Sequence, residues 1–506
     1  MNRREFLSFA VSTTMVTSAQ SPLKRTRGRT RRPPRDEIGF IDAVELARLI
    51  RSRTLSAVEV MTACLSQVKR INPKVNAICT LLDEDQLLNQ ARGADERLAK
   101  KGAIGPLHGF PHAVKDLVPT AGIRTTFGSP IYKDNIPAED SLLVERLKAA
   151  GAIIIGKTNT PEFGAGSQTF NPVFGPTRNP YDSTKTCGGS SGGAAVSVAC
   201  GMTPLADGSD LGGSLRNPPS FCGVVGLRPS IGRVPTWPRS QPWSSMSVDG
   251  PIARSVRDVA LLLSVLAGPD PRTPNAIDEP GSLFRGLLGR DFKGARIAWS
   301  RNLGRYPVQP VVNEVCDQAR PVFSDLGCIV EDAEPDVRDA DEAFQTLRAW
   351  SFAHERGADY RRHRDLIKDT VIWNIELGMK LSGADVARAE ERRAALYHRV
   401  RQFLERYEFL VLPVSQVAPF PVDVEWVKDI NGVKMSIYID WMATCYVITL
   451  TGLPAISVPC GFTPSGLPIG LQIVGRHHRD LDVLKLAHAF EQATQIAKNR
   501  RPPLAL

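Results

Sequence analysis

Residues 140–156 read DSLLVERLKAAGAIIIG, and their order settles what kind of chain this is. Asp140 or Ser141 can cap a helix, because a short polar side chain accepts a hydrogen bond from a backbone N–H that the first turn leaves unpaired. Gly151 can end it, since glycine enters the left-handed conformation of a helix C-terminus without strain. The next five residues, AIIIG, are too few for another helix and too apolar for a loop, so they read as a buried strand.

Working outward, the same alternation recurs. In SAVEVMTACLSQVKRI (56–71), Val58, Met61, Cys64, Leu65 and Val68 share one helical stripe, and a second helix is expected over about 83–100. A strand and turn fit 107–118, and a small-residue helix starts at about Gly192. ARSVRDVALLLSVLAG reads as a helix ending at Gly268. GARIAWS, VVNEVCDQARPVFSDLG and CIVED form a β-α-β unit. FLVLPV, AISVPCGF and IGLQIVG add strands, and a helix over about 481–497 closes the chain. The stretch between Asp339 and Tyr407 is almost wholly helical, as a cap over one end of a sheet would be. The expected fold class is α/β: one large domain over 38–506, with a mixed, mostly parallel sheet sandwiched by helices. There is no internal repeat.

The formal charge of +10 suggests nucleic acid, but residues 1–35 carry nine basic side chains against Glu5 alone. The remaining body is nearly neutral and shows no basic cluster, which argues against a nucleic-acid partner. Nine cysteines, odd in number, scattered and set in apolar stretches, read as buried thiols rather than a disulfide framework. No HExxH or paired Cys/His spacing points to a metal. The N-terminus, MNRREFLSFAVSTTMVTSAQS, resembles a twin-arginine export leader cleaved near Ala19, followed by a basic, disordered linker over 20–37. Its apolar run from Phe6 to Val16 is shorter than the ~20 residues a membrane span needs, so stable membrane insertion is not expected. The location expected is periplasmic or secreted, with the export machinery as a partner. The alternative is a cytoplasmic protein with an uncleaved basic tail.

Two glycine–serine knots carry the chemistry: CGGSSGG (187–193) and GSDLGGSLR (208–216). A phosphate-binding loop needs lysine and a hydroxyl after its last glycine, and Ala194 and Ala195 stand there instead. No frame gives GxGxxG after a strand. GxSxG fits around Ser190, but polar turn residues precede it where a nucleophile elbow needs a hydrophobic strand. In the second knot, successive backbone N–H groups stand beside Ser214 where a helix can start, an arrangement suited to holding an oxyanion.

HGFPHAVKDL (108–117), CGGSSGGAAVSVACG (187–201) and ADGSDLGGSLRNPPSFCGVVGLRPS (206–230) resemble, in order and spacing, the amidase signature family of serine hydrolases. NPKVNAICT, GKTNTPEFGAGS, SVDGPIARSVRD and GLPAISVPCGF extend the resemblance over about 40–495. It implies the amidase signature fold and a Ser, cis-Ser, Lys triad: Ser214 as nucleophile, Ser190 as bridging serine after a cis peptide from Gly189, and Lys115 as base. It also implies an oxyanion hole from the N–H groups of Leu211, Gly212, Gly213 and Ser214. Ser191 would support the network and Gly164 would touch substrate. The implied activity is hydrolysis of a small carboxylic amide through an acyl-serine, with no metal or cofactor, in a chain that could form a homodimer.

A free lysine is neutral at pH 7 in only about one molecule in 2,500, so Lys115 must be buried to act as a base. Its apolar setting, AVKDLV, favours that, although Asp116 or Asp210 could pair with it and keep it charged. His108 and His112 lie near the lysine but suit packing or hydrogen bonding better. Trp350, Trp373, Trp426 and Trp441 could line an acyl or aryl pocket, or simply belong to the core. Cys187 and Asn217 depart from the family pattern, which commonly has proline and an apolar residue there. Two rival readings are a catalytically silent binding protein of the same fold and a glutamyl-tRNA amidotransferase A-type subunit.

Overall fold

In Phe409–Pro413, Phe409 and Val411 enter one hydrophobic core while Leu410 and Leu412 enter another, so this strand is buried on both faces. The same alternation in Arg296–Trp299 sends Ile297 and Trp299 one way and Ala298 the other. Runs such as FLVLPV are continuously apolar because helices cover both faces of the sheet they belong to.

The computed structural model describes residues 33–506, and its body begins at Pro33. A 3-10 turn over Arg35–Phe40, tied to the C-terminal region by the Glu37–Arg501 ion pair, places the start ahead of the expected Ile38. The leader at 1–19 and residues 20–32 of the linker lie outside the described residues.

Along the chain come α1 (Ala43–Arg51), α2 (Ala57–Val75), β1 (Ile78–Leu81), α3 (Glu84–Ala99), β2 (Pro111–Lys115), α4 (Leu142–Ala149) and β3 (Ile153–Thr158). The middle holds α5 (Gly192–Ala199), β4 (Leu205–Asp210), α6 (Asn217–Cys222), β5 (Val225–Arg228), β6 (Val248–Ala253) and α7 (Val256–Leu266). The β-α-β unit is β7 (Arg296–Trp299), α8 (Pro310–Asp325) and β8 (Ile329–Asp332). The helical stretch is α9 (Ala340–His363), α10 (Asp369–Met379) and α11 (Gly383–Arg406). Then follow β9 (Phe409–Pro413), β10 (Asp429–Ile430), β11 (Val433–Lys434), α12 (Ala443–Thr451), β12 (Ala455–Phe462), β13 (Pro468–Gly475), α13 (Asp480–Thr494) and α14 (Ile496–Asn499). Ser141 caps α4, accepting from the Val144 N–H, and Gly151 follows with φ +90°.

The main sheet has the order β4-β6-β5-β12-β13-β9-β7-β8, and a smaller one has the order β1-β3-β2. The fold class is the expected α/β sandwich, but the strand sense is a correction. Only β9–β7 and β7–β8 pair parallel in the main sheet; β4–β6, β6–β5, β5–β12, β12–β13 and β13–β9 are antiparallel. The link over 463–467 between β12 and β13 is a hairpin turn, far too short for the crossover a parallel pair requires. Strands apolar on both faces look alike in sequence whichever way they run.

Helices α7, α8 and α13 pack on one face of the main sheet, with α1 and α4 outside them against α7, and α9, α11 and α12 share the core on the other face. The first and last helices of the helical stretch, α9 and α11, therefore lie against a face, while α10 buries Val371, Ile372 and Ile375 against Phe163 and Ala165. A third core, under α2, α3 and α5, seats the small sheet. The Lys115 backbone N–H donates to the Asp207 carboxylate at 3.2 Å, tying β2 to β4 and joining the two sheets where the two glycine–serine knots meet. All nine cysteines are free, eight of them buried, and no helix among the described residues is long and apolar enough to cross a membrane.

Candidate active site

Lys115 ends β2, a strand buried along its whole length, and its side chain is fully buried. Its Nζ donates to Ser190 Oγ at 2.8 Å, Ser191 Oγ at 2.8 Å and Ser209 Oγ at 2.9 Å. Ser190 Oγ in turn lies 3.0 Å from Ser214 Oγ. Burial pushes the lysine down to about 7 against the opposing pull of Asp207, Asp249 and Asp210. Among the described residues it is in no ion pair.

Its two expected competitors are engaged elsewhere. Asp116 accepts from the Thr126 N–H and hydroxyl. Asp210 accepts from Arg216 Nη2 at 2.9 Å and Arg228 Nη1 at 3.1 Å, with all three side chains fully buried. Burial alone would raise the Asp210 carboxyl, but the two guanidiniums outweigh it and hold the group well below the usual carboxylate range.

The first knot delivers Ser190 and Ser191 to the N-terminus of α5. The Gly189–Ser190 peptide is cis. A Cβ on Gly189 would stand 2.9 Å from the Gln168 backbone nitrogen, so only glycine lets these two backbones approach. Ser167 Oγ donates to the Gly189 carbonyl at 2.8 Å and accepts from Asn217 Nδ2 at 3.0 Å. Asn217, where the family pattern suggests an apolar residue, thus braces the loop that carries Ser190. Cys187 is buried behind that loop, and desolvation pushes its thiol up to about 12.

The second knot turns sharply out of β4, with Gly213 at φ +126°. Here one expected donor is corrected: the Gly213 N–H is already bonded to Asp210 Oδ1 at 2.9 Å, as the Leu215 N–H is to Oδ2 at 3.0 Å. Among the described residues, no protein acceptor takes the N–H of Leu211, Gly212 or Ser214. Asp210 reaches Gly213 because the turn folds the chain back over the carboxylate at the end of β4, a closure no linear pattern displays.

Ser190, Ser214, Gly164, Leu211 and Gly212 line one cavity of about 780 Å³. Trp350 lines it too, as do Trp237 and Trp243, which sequence reasoning passed over. Trp441 instead packs between Phe221 and Phe420, Trp373 against Tyr438, and Trp426 under Lys428. His112 Nε2 lies 2.9 Å from Asp207 Oδ1 and His108 Nε2 is 3.0 Å from the Ala94 carbonyl, so neither pairs with a site serine. Ser209, Asp207 and Asp249 were also missed. A signal existed: Asp207 and Ser209 are polar at i and i+2 in a buried strand, hence on one face, and that face meets Lys115.

A base, two hydroxyls in series and free N–H donors beside the outer hydroxyl can run acyl transfer. The family profile described as Amidase matches residues 59–484. An acylamidase of Rhodococcus erythropolis is 37% identical over 89% of this chain and 95% of its own. The A-type subunit of the glutamyl-tRNA(Gln) amidotransferase of Moorella thermoacetica is 34% identical over 93% of this chain and its own whole length. Among solved structures, a bacterial aryl acylamidase superposes with TM-score 0.85 at 29% identity, covering 91% of this chain and 98% of its own. A 6-aminohexanoate cyclic dimer hydrolase superposes with TM-score 0.83 at 28% identity, covering 92% and 100%.

Proposed function

The chain belongs to the amidase family and hydrolyses carboxylic amides at carbon–nitrogen bonds other than peptide bonds; on that premise we propose that Ser214 is the nucleophile, Ser190 the proton relay and Lys115 the base. The observation that carries this assignment is the unbroken run from Ser214 Oγ to Ser190 Oγ to Lys115 Nζ, in steps of 3.0 and 2.8 Å.

With its pKa brought to about 7, a large share of Lys115 is the neutral amine at neutral pH. That amine keeps two N–H donors and one lone pair. If Ser191 and Ser209 take the donors, the lone pair faces Ser190, which is the direction a relay needs. Ser214 Oγ attacks the amide carbon as its proton passes to Ser190 and the Ser190 proton passes to Lys115. The carbonyl oxygen becomes an oxyanion facing the N–H groups of Leu211, Gly212 and Ser214. Collapse breaks the carbon–nitrogen bond; the Lys115 ammonium returns its proton through Ser190 to the leaving nitrogen, and an ester on Ser214 remains. Water then attacks that ester by the same relay, releasing the carboxylate and restoring the serine.

An acyl anilide or similar aryl amide is the substrate type we favour, supported by the acylamidase relative and by Trp237, Trp243 and Trp350 along the cavity. The amidotransferase relative of Moorella thermoacetica, matched over its full length, favours a second reading in which the same serine chemistry serves an A-type subunit. Co-purification with other subunits and glutamine-dependent transfer would identify it. We also propose export through the leader at 1–19. The mass of the mature N-terminus tests that, and an intact Met1 or Asn2 in a cytoplasmic fraction overturns it.

A fluorophosphonate probe and an acyl anilide tested on wild type, Ser214→Ala, Ser190→Ala and Lys115→Ala decide the assignment. Labelling is expected to vanish in Ser214→Ala. If it persists there and disappears only in Ser190→Ala, the roles of the two serines are reversed. If wild type is neither labelled nor active, the chain is a silent binding protein.

A further inference from the structure

Four arginines line the cavity: Arg239, Arg348, Arg356 and Arg393. Arg356 pairs with Asp359 at 3.6 Å and Arg393 with Glu390 at 3.6 Å. Burial raises the Asp249 carboxyl, and Arg239 lies close enough for its charge to oppose that rise. Arg348, on α9, is only 4% exposed and among the described residues has no ion-pair partner. Its Nη1 donates to the neutral Asn374 Oδ1, and its guanidinium lies 4.7 Å from the Phe352 ring centroid and 5.1 Å from that of Tyr438. Asn374 is itself fixed, donating to Tyr438 Oη at 2.6 Å. Nearby charge does not neutralise this corner well. Lys368 is a second cation within electrostatic range of Arg348; the buried Glu162 carboxylate that faces Lys368 is shared with Arg356, and Glu425, whose charge also reaches Lys368 and Tyr438, is solvent-exposed.

A buried cation without a counter-ion is costly, and that cost falls when a ligand brings the opposite charge. Two rings and an amide hold the guanidinium in place while consuming few of its five N–H donors, leaving a fork suited to a carboxylate. Helix α9 brings it to the same cavity as Gly212 and Ser214. Phe344, four residues earlier on α9, has its ring tip 3.4 Å from where a Cβ on Gly212 would sit. Arg348 follows one helical turn on, about 6 Å along the axis.

We propose that the amide cleaved at Ser214 carries a carboxylate a short chain away from its scissile carbonyl, and that Arg348 binds it. This rests on the amidase reading and names the substrate class within it.

The test compares aniline release from glutaranilate with that from 5-methylhexananilide, in which isopropyl replaces the carboxylate. For a carboxylate on the amine side, 4-acetamidobenzoate is compared with 4-isopropylacetanilide. In wild type, one carboxylate is expected to be cleaved with kcat/KM roughly ten- to hundredfold above its isopropyl partner, the range of a hydrogen-bonded charge. That ratio should fall to about one in Arg348→Met and to an intermediate value in Arg348→Lys. Should Arg348→Met not fold, competition in wild type serves: 5-oxohexanoate should inhibit cleavage of the neutral anilide far better than 6-methylheptan-2-one, in which isopropyl replaces the carboxylate. Isopropyl partners cleaved as well as the carboxylates, or a preference that survives in Arg348→Met, would overturn the proposal. Failure of the amidase reading looks different: no anilide is cleaved and the fluorophosphonate leaves Ser214 unlabelled.

Discussion

Ser209 Oγ accepts a hydrogen bond from Lys115 Nζ at 2.9 Å, the third hydroxyl on that nitrogen after those of Ser190 and Ser191. When the amine is neutral and gives its two donors to Ser191 and Ser209, Ser209 helps turn the lone pair toward Ser190. Ser209→Ala should lower kcat by roughly two- to tenfold, the scale of a lost neutral hydrogen bond, and leave KM within a factor of a few. Steady-state kinetics on an acyl anilide check this. A rise in KM with kcat unchanged would place Ser209 in substrate binding instead.

The pH profile follows from the same lysine. A base must be neutral, so kcat/KM should rise as pH increases through about 7 and level off above it. Asp249 stands opposite Ser209 in the β4–β6 register, and its charge holds the lysine up against burial. Removing that charge in Asp249→Asn lowers the lysine further and should move the acidic limb toward lower pH. An unmoved or upward-shifted limb would mean that the limb reports some other group.

Much of this site was legible in the sequence because glycine–serine knots and a lysine in an apolar strand are local signals. Ser190, Ser214 and Lys115 lie far apart in the chain, yet each sits in a run whose composition is already odd. Ser209, Ser167 and Asp249 were not legible in that way, since each acts through a partner brought by another strand or loop: Lys115, Gly189 and the facing strand β4. The strand sense failed for a related reason. Burial on both faces erases the period-two pattern that sets one-sided antiparallel strands apart.

Asn217 gives a sharper test of the bracing of the relay serine. It donates to Ser167 Oγ at 3.0 Å, which donates to the carbonyl before Ser190 at 2.8 Å, so the two act on Ser190 in series. Asn217→Leu and Ser167→Ala should each lower kcat more than they raise KM. Because they break one chain, the double variant should be little worse than the worse single one, a coupling of about 0.5–3 kcal/mol in a double-mutant cycle. Additive losses would show that the two side chains act independently.

Far from the cavity, Asp258 on α7 accepts the Val44 N–H at 2.9 Å and so caps α1, whose own N-cap Asp42 makes no capping bond. Its second oxygen is buried with no partner among the described residues. Burial first, and then the charge of Asp42, raises this carboxyl to about 6. A carboxyl that is harder to ionise in the folded state than in the unfolded one favours folding while protonated. That advantage is full below the unfolded value of 3.8 and is lost as pH rises through about 6. The ionised form therefore costs at most about 3 kcal/mol at neutral pH. Asp258→Asn keeps an acceptor for Val44 and has no charge to bury. Relative to wild type it should gain stability between pH 4 and 7, seen as a Tm difference that grows with pH and levels off above about 7. A Tm difference that is constant across this range would show that Asp258 does not titrate there, and a growing loss would mean that the ionised carboxylate, not the protonated acid, is the better cap for α1.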